Sequence, residues 1–109
     1  MSQETIPVWQ SMRTSETQQI EEVLRREFPL TDAYRYNSAS IRLRIIDERF
    51  KGLSDSKRDD LVEPLIETLS EEIQRDIITL MTFVPSELET STRAQLMNIE
   101  FEEPSPTSL

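Results

Sequence analysis

A chain of 109 residues with 12 basic and 21 acidic side chains carries a formal charge of −9, and only 36% of it is apolar. That is enough for one small core with soft ends. There is no cysteine, no histidine and one glycine. Disulfides, thiolate chemistry, histidine general bases and glycine-rich phosphate cradles are therefore excluded.

The opening residues are polar and carry no export signal. No apolar run approaches the roughly 18 residues that span a bilayer. A soluble cytoplasmic protein is the expectation, with no membrane partner. Charge is unevenly distributed. Residues 35–58 hold Arg35, Arg42, Arg44, Arg49, Lys51, Lys57 and Arg58 against three acids, whereas residues 59–109 hold Arg75 and Arg93 against twelve.

Residues 1–13 lack a sustained period and contain Pro7, so they read as a flexible arm, with Trp9 as its one large anchor. Residues 14–28 read as a helix, opened by a capping box of Ser15 and Gln18 and striped with Ile20, Val23, Leu24 and Phe28. Pro29 stops it. Residues 32–37 read as a strand with Tyr34 and Tyr36 on one face, and Asn37-Ser38 as a turn. Residues 40–46 alternate, with Ile41, Leu43 and Ile45 on one side and Arg42 and Arg44 on the other. The pair predicts an antiparallel hairpin. The loop 47–53 holds Gly52, where the backbone needs a positive φ.

Residues 55–75 carry the strongest helical stripe: Leu61, Val62, Leu65, Ile66, Leu69 and Ile73. Pro64 either kinks this helix or divides it. Residues 77–84 are apolar on both faces and predict the most buried of three strands. A last helix over 86–98 has Leu88, Leu96 and Met97 as anchors, and 99–109 reads as a disordered acidic tail. The order predicts an α+β fold, αββαβα, built as a two-layer sandwich on a three-stranded mixed sheet. Both long helices cover one face, and Arg42, Arg44 and Arg35 stud the other. Residues 14–98 form the domain.

Residues 18–88 resemble the BolA-like family. The likeness rests on the helix ending Arg-Arg-Glu-Phe-Pro, the strand Ile-Arg-Leu-Arg-Ile-Ile and the loop Phe50-Lys51-Gly52-Leu53-Ser54. Lys57-Arg58-Asp59-Asp60-Leu61-Val62 then opens a helix, and Thr82-Phe83-Val84-Pro85-Ser86-Glu87 closes a strand. The resemblance implies a class II KH-like sandwich and a partnership with monothiol glutaredoxins in iron–sulfur handling. Two family histidines fall on Asp59 and Asp76. A carboxylate is a harder ligand than imidazole, so bridging of a cluster by this chain is not expected, and no cofactor is assigned.

Three function classes follow. The leading one is a non-enzymatic, BolA-like interaction protein whose surface comprises Arg35, Arg42, Arg44, Phe50, Gly52, Ser54 and Arg58. The alternative is a KH-like nucleic-acid regulator using the same arginines, weakened by the acidic chain and by the lack of a Gly-x-x-Gly loop. A third is a small enzyme holding Mg²⁺ on Asp59, Asp60, Glu63 and Glu67.

Overall fold

The computed structural model describes residues 6–104; the ends of the expected arm and tail lie outside the described residues. A 3₁₀ turn, Val8–Met12, precedes α1 (Ser15–Leu24), β1 (Thr31–Asn37) and β2 (Ser40–Ile46). A second 3₁₀ turn, Glu48–Phe50, leads to α2 (Asp55–Ile66), α3 (Glu71–Asp76) and β3 (Ile77–Phe83). Two further helices, α4 (Glu87–Thr90) and α5 (Thr92–Glu102), complete the chain. The sheet order is β1-β2-β3, with β1 antiparallel and β3 parallel to β2. This is the mixed three-stranded sheet that a hairpin followed by a strand–helix–strand crossover must produce.

Local chemistry sets the boundaries. The capping box of α1 sits one residue earlier than the sequence pattern suggested. Thr17 donates its N–H to the Thr14 hydroxyl at 3.3 Å, and Thr14 donates its N–H to the Thr17 hydroxyl at 2.9 Å. The helix ends at Leu24, and a turn brings Phe28 back to stack on Phe50, with centroids 5.5 Å apart. The single stretch expected over 55–75 is two helices. α2 runs through Pro64 and stops two residues later. Ser70 then caps α3 by accepting from the N–H of Ile73. Proline has no N–H to donate to the Asp60 carbonyl, so the missing bond lies within α2; the helix ends further on, where Thr68 and Leu69 donate to the Leu65 and Ile66 carbonyls in tighter turns. Leu61, expected in the stripe, is exposed, and Val62 carries the contact. Gly52 has φ +77°, as its place in the tight loop requires.

Ile20 and Leu24 of α1 and Val62 of α2 pack on Ala33, Ile41, Leu43 and Ile45, so both long helices cover one sheet face. The other face is also covered. Trp9 from the first 3₁₀ turn and Ala94 and Phe101 from α5 close over Tyr34, Met81 and Phe83. The expected arm is thus packed at Trp9, and the helix expected to end at 98 continues to Glu102, with Phe101 fully buried. α5 adds a layer to the anticipated sandwich. Its anchors are Ala94, Met97 and Phe101, while Leu96 points to solvent. The expectation for β3 is corrected too. It is an edge strand, Ile78 is 65% exposed, and the most buried strand is the central β2.

Candidate interaction surface

The arginines expected on an open face are internally paired. Register places Asp32 opposite Arg44 and Tyr34 opposite Arg42, so these four share the face that α5 covers. The Arg44 guanidinium donates to Asp32 at 2.7 Å, to the Asn98 side chain at 2.7 Å and to Glu102 at 2.9 Å. It lies 4.4 Å from the Phe101 ring centroid, and the residue is 5% exposed. Arg42 donates to the Tyr34 hydroxyl and to the Glu100 carbonyl, at 3.1 and 3.2 Å, and sits 3.8 Å over Tyr36.

Arg35 is on the opposite face. It pairs in register with Ile41 and donates to Glu16 at 3.1 Å and Asp76 at 2.9 Å. Strand parity explains the difference, because Arg35 is one residue from Tyr34 and so points the other way. The reading of three guanidiniums as a free phosphate-gripping face is therefore corrected, and the nucleic-acid alternative loses the groups on which it rested.

The remaining residues of the expected surface gather beside β3. Phe50 is fully buried and anchors the loop from below, while Gly52 and Ser54 are exposed. Ser54 caps α2 by accepting the N–H of Lys57 at 3.3 Å. Arg58 reaches inward from the first turn of α2. It donates to the carbonyls of Leu53 and Thr82, both at 3.0 Å, and binds both carboxylate oxygens of Glu87, at 3.0 and 3.1 Å. Glu87 also accepts the N–H of Val84 at 2.7 Å. Such a bidentate pair is strong and geometrically specific. It clamps the start of α2 to the end of β3. Glu87 is the residue that sequence reasoning missed; it lies 29 positions from Arg58, and no local pattern links them.

The clamp carries a pH signature. Hydrogen bonding from Arg58 is the main cause that holds the Glu87 carboxyl below its ordinary 4.5, against burial, which pushes it up. The pair's contribution is therefore complete above the unfolded value and is lost as pH falls through the depressed folded value. Glu87→Gln is expected to flatten the fall in stability between about pH 5 and about pH 3, read from denaturant melts of both proteins across that range.

Next to the clamp is a cleft of about 590 Å³, bounded by Ser54, Asp59, Leu80, Glu87, Arg93 and Met97 among others. Burial, together with the neighbouring Asp55 and Asp60, pushes the Asp59 carboxyl above its ordinary range. Asp76 lines a different hollow of about 380 Å³ with Arg35, Glu16 and Arg75. The two positions matched to family histidines thus lie in separate hollows. Iron–sulfur ligation does not fit this donor set. The chain has no cysteine or histidine, and the Asp76 carboxylate is already bound by Arg35. Among the described residues no group of three His, Cys, Asp or Glu side chains is placed to hold a metal ion, and Asp59, Asp60, Glu63 and Glu67 of α2 form no such group.

No family model matches the chain, and no curated protein does. Among solved structures it is similar to the BolA domain of SufE1 from Arabidopsis thaliana. The match covers 68% of this chain and 96% of that one, with 21% sequence identity and a TM-score of 0.53. The fold is BolA-like. About a third of this chain lies outside the BolA-like match. No helix among the described residues is long and apolar enough to cross a membrane.

Proposed function

We propose that this chain is a non-enzymatic, BolA-like interaction protein that engages a protein partner, with a monothiol glutaredoxin as the first candidate, and does not itself ligate a cluster. The observation that carries this reading is the arrangement around β3 within a BolA-like fold. It brings the end of the Phe50–Ser54 loop, the Arg58–Glu87 clamp and the outer side of β3 to one cleft. The exposed loop residues and the cleft are the contact surface. Arg35, Arg42 and Arg44 serve the fold instead. Function then resides in a surface and not in a reacting centre.

Calorimetric titration of the chain into a monothiol glutaredoxin, with and without its cluster, tests this. The expected result is a one-to-one complex with Kd of about 1–100 μM and no new visible absorbance from a bridged cluster. Absence of binding in both titrations removes the partner assignment. A bridged-cluster spectrum removes the statement about ligation.

A further inference from the structure

Both outer edges of the sheet are capped in part. On β1, α1 and the residue after it take two outward groups: Ala33 donates its N–H to the buried Glu21 carboxylate at 3.0 Å, and the Thr31 carbonyl accepts from Arg25 at 2.9 Å. Such capping protects an edge from further pairing. On β3 only the last outward groups are taken, with the Thr82 carbonyl bound by Arg58 and the Val84 N–H by Glu87.

Phe83 faces β2's side, since its carbonyl accepts the N–H of Asp47. Alternation along a strand then turns both backbone groups of Leu80, and the N–H of Thr82, outward. No strand lies beyond them among the described residues. Ile77–Phe83 contains no charged residue of the kind that guards exposed edges. The pairing with β2 skips Ile78, and its side chain is 65% exposed at the start of this stretch.

We propose that the outer edge of β3 is a docking site for an extended, basic segment of a partner protein, which adds to the sheet as a fourth strand and sets a Lys or Arg side chain against Asp59. The cleft runs beside this edge, with α2 forming one wall and α5 the other. Leu80 and Met97 give it apolar contact, and Asp59 lines it without taking part in any described ion pair. The crowding of Asp55 and Asp60 about Asp59 is relieved by an incoming cation. The chain's net charge of −9 steers basic partners toward it. Main-chain hydrogen bonds to Leu80 and Thr82 supply affinity, and the alternating side chains supply specificity. The inference rests on the reading of this protein as an interaction module and names the recognition mode.

A fluorescein-labelled hexapeptide alternating Val and Lys is the probe, read by fluorescence polarisation against the full chain. It is expected to bind with Kd of about 10–100 μM. Its Val–Glu counterpart, and a Val–Lys peptide N-methylated at alternate amides, are each expected to bind at least about tenfold more weakly. Asp59→Asn is expected to weaken the Val–Lys peptide about threefold to tenfold. Ile78→Lys is expected to abolish its binding while leaving thermal melting unchanged, because that side chain is in solvent. No binding up to about 1 mM, or undiminished binding of the N-methylated peptide, overturns the proposal. A dimer in sedimentation velocity that Ile78→Lys dissolves also overturns it, by placing a second copy on the edge. The glutaredoxin titration uses a different probe, so either reading can fail while the other stands.

Discussion

Replacing Phe101 with alanine is expected to cost about 3–5 kcal/mol of folding stability. Phe101 is fully buried. Its ring meets Tyr34 edge-on at 4.8 Å and Trp9 at 5.4 Å, and Arg44 lies against it. Removing the ring leaves a cavity that the sheet cannot collapse into, and it exposes a guanidinium that was stacked on a π face. A urea melt of Phe101→Ala beside the native chain measures the loss. Leu96→Ala, on the same helix but in solvent, is the matched control and is expected to change stability by less than about 0.5 kcal/mol. Equal effects from the two would mean that α5 does not cover the sheet.

Arg44→Ala is expected to cost about 2–4 kcal/mol, more than the removal of an ordinary surface ion pair. The side chain is 7% exposed and joins Asp32 of β1 to Glu102 of α5. Its loss leaves two carboxylates without their shared cation and the Asn98 side chain without its donor. Glu102 is 42% exposed, so water compensates part of the loss there; Asp32, at 23%, is less wetted and keeps its pair with the half-exposed Arg25 at 3.2 Å. Arg44→Lys restores the charge but not the three-way fork, and is expected to recover less than half of the deficit. A double-mutant cycle with Asp32→Ala, followed by chemical denaturation, is expected to give a coupling energy above about 1 kcal/mol.

Much of the fold was legible because it is written in periodicities. Ile41, Leu43 and Ile45 alternate cleanly, and all three are fully buried in the structure. Gly52 stood alone and took the positive φ. Less was legible where the determining contact is distant. α5 has a weak stripe, and its decisive residue, Phe101, lies among acids that read as tail; the partners that bury it, Trp9 and Tyr34, are far away in sequence. β3 reads as the most buried strand because both its faces are apolar. Apolar composition reports what side chains tolerate, and the place of a strand in the sheet depends on pairing order.

The arginines show the same limit. A charged residue on a strand was read as solvent-facing, yet Arg44 is held by carboxylates that arrive from residues 32 and 102. The parity that separates Arg35 from Arg42 was available from Tyr34 and the hairpin register alone. Of the candidate surface, Gly52 was readable from turn chemistry, whereas Ser54 entered only with the family loop and its capping of α2 was not anticipated. Glu87 entered only as the end of the strand motif, because nothing local ties it to Arg58, 29 positions away.

Trp9 and Phe101 come from opposite ends of the described chain and meet over one sheet face at 5.4 Å. The α1–α2 face can assemble once β3 and Val84 are in place, but the Tyr34–Met81–Phe83 face stays wet until residue 101 arrives. A partly folded chain in which these two ends have not met has one finished sheet face and one sticky face. Such a species exposes the surface through which chains misassociate, and the docking of Trp9 and Phe101 removes it.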